Sequence, residues 1–142
     1  MKTKCLILVI LLGLVIAACG CAAPQETTPN EPQMTAAEVG YRTITAENAK
    51  AMMDETEDWI LLDVRTAEEF QEVRIEGAIL IPDYEIADRA ESEIPDKETT
   101  ILIYCRSGRR SALAAQEMVG MGYTNVYDFG GIIDWSYDTI TG

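Results

Sequence analysis

Histidine is absent from all 142 residues, and that absence removes a class of chemistry. No hydroxyl in the chain has an imidazole to activate it as a nucleophile. Metal ligands are also poor, and no cysteine spacing suggests a zinc site, so neither a metal nor a cofactor is expected. Cysteine is scarce: Cys5, Cys19, Cys21 and Cys105 are the whole set. Three of the four crowd the first 21 residues, so a disulfide framework is not expected and Cys105 stands as a lone thiol. Positive charge is in short supply too, with 11 basic against 24 acidic side chains and a net charge of −13. Such a surface repels nucleic acid and anionic lipid, and neither is expected as a partner.

What is present begins with a leader. "MKTKCLILVILLGLVIAAC" has Lys2 and Lys4, then an apolar run, then small residues at Ala17 and Ala18. That is the layout of a secretory signal. The uncharged stretch Cys5 to Ala23 is 19 residues long, close to the roughly 20 that span a bilayer, so a retained helical anchor is the alternative. "IAAC", Ile16 to Cys19, resembles the bacterial lipobox. That resemblance implies cleavage before Cys19 and lipidation of it. Residues 1–18 are then a signal peptide, 19–40 a lipidated start and spacer, and 41–142 the folded domain. Cleavage removes Lys2 and Lys4 and no acid, so the mature charge becomes about −15. The expected location is the bacterial cell envelope, with the protein exported and held to the membrane by its N-terminus.

Residues 22–39, "AAPQETTPNEPQMTAAEV", hold three prolines and almost no large apolar groups, which is spacer composition. Beyond them, apolar runs alternate with helical patterns. "YRTI" (41–44) reads as a short strand, and Thr45 caps a helix through "AENAKAMMDE" with Ala49, Met52 and Met53 on one face. "WILLDV" (59–64) is a strand buried on both faces. "TAEEF" opens a short helix with Thr66 and Glu69 spaced as a capping box. "AILI" (78–81) is a strand ended by Pro82, and "DYEIADRAE" an acidic surface helix. "TILIYC" (100–105) is a second fully apolar strand, with a helix from Ser111 to about Gly120, a strand "NVYDF" (125–129) and a turn with a short helix at "GGIIDW". The alternation predicts an α/β domain with a mainly parallel central sheet and helices on both faces.

Against this acidic background, "CRSGRRS" gathers Arg106, Arg109 and Arg110 around Cys105, at the carboxyl end of an apolar strand. That edge is where parallel α/β sheets bind ligands. Gly108 permits a sharp turn, and inward-facing N–H groups ahead of a helix form an anion cradle. A thiol there should ionise below the free value of about 8.5. Asp63 and Arg65 fall at the same edge, where they read as an internal ion pair supporting the neighbouring loop. Trp59, Trp135 and the methionines read most simply as core.

Taken together, "LLDVR" with "EEF", "EGAILIP", "CRSGRRS" and "GGIIDW" resemble, in order, the four signatures of the rhodanese family of sulfurtransferases, in its small single-domain form. The similarity covers about Tyr41 to Tyr137. It implies a rhodanese-like fold and a Cys105 that accepts a sulfane sulfur as a persulfide. The sulfur would come from a small anionic donor such as thiosulfate and pass to cyanide or a thiol. The same resemblance implies that backbone amides from Arg106 through Ser107, Gly108, Arg109 and Arg110 to Ser111 hold the persulfide, and that Arg106 and Arg110 hold the donor's anionic end. Val73 and Arg74 depart from the Gly-His that often begins the second signature. Two other readings remain. A cysteine phosphatase or arsenate reductase places arginine six positions after the cysteine, where this chain has Ser111, and Tyr104 replaces the histidine common before that cysteine. A non-catalytic binding or redox-sensing module of the same fold is the other. The oligomeric state is left open.

Overall fold

The apolar run "TILIYC" forms the middle of a sheet. In a computed structural model that describes residues 40–142, β4 (Thr100–Cys105) lies between β2 (Trp59–Asp63) and β5 (Val126–Gly131). β3 (Ala78–Leu80) pairs on the outside of β2, and β1 (Arg42–Thr43) on the outside of β5. The order is β1-β5-β4-β2-β3, and all four pairings are parallel. A central strand hydrogen-bonded on both edges and covered on both faces needs a continuous apolar sequence, and β4 and β2 have one. The leader, Cys19, Cys21 and the spacer up to residue 39 lie outside the described residues. Among the described residues, no helix is long and apolar enough to cross a membrane.

Alternation along the strands sorts side chains into two cores. Leu62, Ile101, Ile103 and Cys105 face one side, against Ile86 and Ala90 of α3 (Ile86–Glu93), Ile94 just after it, and Ala114, Ala115 and Met118 of α4 (Arg109–Gly120). Leu61, Leu102 and Tyr104 face the other, against Ala46 and Ala49 of α1 (Ala46–Glu55), with Phe129 and Trp135. Burying a side chain of this size stabilises by about 1.5–3 kcal/mol, so each face is a core in its own right. Trp135 and Met118 are buried; Trp59, Met52 and Met53 are half-buried and pack at the margin.

Local signals behave as their chemistry dictates. The Thr45 hydroxyl accepts the Asn48 N–H at 3.2 Å and starts α1. Thr66 and Glu69 form a complete capping box on α2 (Ala67–Glu72). At the Val73–Arg74 departure, the Arg74 backbone pairs with Ile140 in an antiparallel bridge and its guanidinium donates to the Phe70 carbonyl at 3.4 Å.

β1, β2 and β3 are each a residue or two shorter than the sequence reading, and three boundaries differ in ways that matter more. The acidic stretch starts as a 3₁₀ turn over Asp83–Glu85 and becomes α-helical only at Ile86, because Pro82 fixes the entry to it. β5 runs on to Gly131, and its register against β4 slips by one residue between Ile103 and Cys105. Gly130, at φ +90°, lies in the slipped segment. Most consequentially, α4 begins at Arg109 and not at Ser111. Gly108, at φ +93°, makes the turn so tightly that only three residues separate the strand from the helix.

Candidate active site

Cys105 ends the central strand and is 1% exposed. The chain then turns back through Arg106, Ser107 and Gly108, and α4 starts. This geometry points successive N–H groups inward at the sulfur, as in other anion-binding nests. The Gly108 N–H donates to the Cys105 Sγ at 3.1 Å. Burial alone pushes the thiol up. The N–H and hydroxyl of Ser111, together with the N–H groups of Ser107 and Gly108, outweigh it, and the net direction is down from the ordinary value. The Ser111 hydroxyl also reaches the carbonyls of Gly108 at 3.1 Å and Gly130 at 3.2 Å. Its single proton serves one acceptor at a time.

The loop rests on β5. A Cβ on Gly131 would lie 2.3 Å from the Arg106 carbonyl oxygen and 2.6 Å from the Ser107 Cα. No side chain fits there. The Arg106 carbonyl also accepts the Ile133 N–H at 3.3 Å, so "GGIIDW" forms the floor and side wall of the cysteine loop.

The arginines divide. Arg106 and Arg109 are exposed and form no ion pair among the described residues. Arg110 is half-buried, and both its terminal nitrogens are on Glu69: Nη1 to Oε2 and Nη2 to Oε1, each at 2.8 Å. That pairing pulls the Glu69 carboxyl down to about 2, against a smaller opposing effect of burial. The Arg110 contact with a donor implied by family resemblance thus competes with an existing partner.

Asp63 and Arg65 are 0% and 3% exposed and form an internal ion pair. Asp63 Oδ1 accepts the backbone N–H and Nε of Arg65, each at 2.9 Å, and Oδ2 accepts Nη2 at 2.6 Å. Nη2 also donates to the Val73 carbonyl at 2.7 Å, tying the strand end to the end of α2. Tyr104, where a phosphatase would carry histidine, has its ring in the α1-side core and its hydroxyl accepting the Ile75 N–H at 3.3 Å. Burial, then the Asp63 charge, pushes its phenol above the ordinary value, so it stays neutral.

Beside the loop is an open cleft of about 270 Å³, lined by Arg65, Glu69, Glu72, Val73, Arg106, Ile132 and Ile133. Ile133, 64% exposed, stands at its lip. A larger cleft of about 500 Å³, between α1 and residues 135–138, includes none of the loop residues. Among the described residues, no group of three or more acidic or cysteine side chains could hold a metal ion.

Sequence reasoning brought together Cys105, Arg106, Ser107, Gly108, Arg109, Arg110 and Ser111, which form one continuous loop and first helical turn. It missed two residues. Glu69 was visible only as a helix cap, and Gly131 only as part of a turn. The adjacent glycines were a usable signal for a close backbone approach. Nothing local could have paired Glu69 with an arginine 41 positions away.

A lone thiol in an amide nest at the carboxyl edge of a parallel sheet defines a thiol-based anion site on an α/β domain. The rhodanese-like domain family model matches residues 45–138, and the chain belongs to that family. It is 40% identical over 86 residues to the thiosulfate sulfurtransferase PspE of Escherichia coli, covering 61% of this chain and 81% of that one. It is 39% identical over 94 residues to a sulfurtransferase of Allochromatium vinosum, covering 66% of this chain and 86% of that one. The solved structure of a rhodanese with anions from E. coli superposes with a TM-score of 0.56 at 37% identity, covering 58% of this chain and 98% of that one.

Proposed function

We propose that the protein is a sulfurtransferase that carries a sulfane sulfur on Cys105. The observation that carries this reading is the sulfur's setting: a buried thiol with a lowered pKa, facing three backbone N–H groups. With a thiosulfate-like donor, the Cys105 thiolate attacks the outer sulfur. The new S–S bond forms as the donor's own S–S bond breaks, and sulfite leaves with the bonding pair. An acceptor nucleophile, cyanide or a thiolate, then attacks the outer sulfur of the persulfide and returns Cys105 as thiolate. Neither step needs a general base, which suits a chain without histidine. The N–H nest offers stabilisation to negative charge on either sulfur, and exposed Arg106 and Arg109 attract the anion.

The test is transfer from thiosulfate to cyanide by the full chain, with Cys105→Ser as comparison. Wild-type turnover and its loss in the serine variant are expected. Full activity in the serine variant removes Cys105 from the reaction. A folded wild type inactive with thiosulfate, polysulfide and mercaptopyruvate leaves a binding module as the reading. The proposal extends to an exported protein tethered through a lipidated Cys19. Intact mass decides this: a mass equal to the unmodified 142 residues rejects lipidation.

A further inference from the structure

Arg110 ought to be a strong anion ligand, since it sits in the first turn of α4 beside the thiol. Its guanidinium is nonetheless occupied fork to fork by Glu69, with side chains only 21% and 26% exposed. Partly shielded from water, the carboxylate cancels most of the field that Arg110 would project toward an approaching anion. The thiolate and Arg110 are close enough to interact, the sulfur's charge being one of the influences that keep the guanidinium protonated. A change in the Arg110 charge balance is therefore felt at the site.

Glu69 does two jobs that can be separated. As the third residue of α2 it offers Oε2 to the Thr66 N–H at 3.1 Å. Glutamine can make that contact equally well. The cap's hydrogen bond does not need the negative charge; the charge acts most strongly on Arg110, and more weakly on Arg65 and the dipole of α2.

We propose that Glu69 is a specificity-determining residue that withholds the charge of Arg110 from incoming anions, leaving Arg106 and Arg109 to recruit them. The neutral Glu69–Arg110 doublet moderates the affinity of the site for small anions, so that a dianionic donor enters and its anionic product leaves. The identity of that donor rests on the sulfurtransferase reading; the masking of charge does not.

The test compares alkylation of Cys105 by iodoacetate, an anion, and iodoacetamide, its neutral analogue. Both react with the same thiolate, so the ratio of their rates cancels nucleophilicity and reports field. The full chain is used, and Cys105 is followed in the tryptic peptide Glu98–Arg106, bounded by Lys97 and Arg106. Glu69→Gln should raise the iodoacetate-to-iodoacetamide ratio roughly three- to tenfold at low ionic strength, and salt should shrink the rise. Thr66→Ala, which breaks the cap and leaves the ion pair, should leave the ratio unchanged. An unchanged ratio in Glu69→Gln, or an equal rise in Thr66→Ala, overturns the proposal. Should Glu69→Gln fail to fold, Arg110→Gln serves: by exposing the Glu69 charge it must lower the ratio, and no decrease is equally fatal. The expected rise in Glu69→Gln, alongside a wild type that turns over neither thiosulfate, polysulfide nor mercaptopyruvate, would end the sulfurtransferase reading and leave this one standing.

Discussion

Replacing Arg65 by Met should be among the most damaging single changes outside the cysteine loop. Asp63 has no exposed surface, and its closest partners are the backbone N–H and guanidinium of Arg65, at 2.6–3.0 Å, with the neutral Tyr104 hydroxyl as a weaker neighbour. Removing the guanidinium leaves a buried charge that water cannot reach, and it frees the Val73 carbonyl as well. Breaking one partner of such a pair costs about 3–5 kcal/mol. Whole domains are stable by only about 5–15 kcal/mol. For a unit of this size each kcal/mol is worth about 4–8 °C in Tm, so a loss of at least roughly 12 °C is expected. Replacing both residues by apolar ones, Asp63→Val with Arg65→Met, removes the stranded charge along with its partner. The double variant should therefore cost less than the two single variants summed, with a coupling of about 1–3 kcal/mol. Urea unfolding followed by tryptophan fluorescence measures all four corners of the cycle. A single-variant cost below about 0.5 kcal/mol, or strict additivity, would refute the argument that burial makes this pair indispensable.

Four further outcomes are expected. Gly131→Ala should lower turnover on the order of 100-fold, because its Cβ would meet the Arg106 carbonyl at 2.3 Å and displace the loop. Gly130→Ala, with open space at its Cβ, should cost only the strain of its positive φ, about 1 kcal/mol; stability and initial rates of both variants provide the check. The rate of Cys105 alkylation by iodoacetamide should rise with pH to a plateau whose midpoint lies below the ordinary thiol value, since the amide nest favours thiolate. A midpoint at or above that value would mean that burial wins. The depressed carboxyl of Glu69 stabilises the fold fully above its unfolded value near 4.5, and this contribution is lost as pH falls toward about 2. Arg110→Gln should therefore flatten the stability–pH curve between those limits, as read by acid unfolding.

The parts of this fold legible in the sequence were those written in short-range chemistry. Apolar runs located β2 and β4, and Thr45 and the Thr66–Glu69 spacing located two helix starts. The start of α4 was misplaced because a serine is a familiar cap. Gly108 holds that place instead, with no capping hydrogen bond from a side chain. The slip in β5 and the floor under the loop were only faintly written, because backbone meeting backbone across 25 residues leaves just a pair of glycines as its trace. The Arg110–Glu69 pair escaped for a related reason. Each residue already had a sufficient local explanation, one as loop charge and the other as cap.

The start of α4 has one more consequence. Its first two residues are arginines, its first turn holds no acid, and the residue before it has no side chain to accept the free N–H groups. Cations at the positive end of a helix dipole are unfavourable, so the helix begins incomplete. What completes it is the Cys105 sulfur, reaching back from the preceding strand to accept from Gly108 and to face the N–H of Ser111. The atom proposed to carry sulfur thus also holds the place of a missing cap. Any change in its charge is a change in how firmly α4 is begun, and the state of the thiol should be readable in the hydrogen exchange of that first turn.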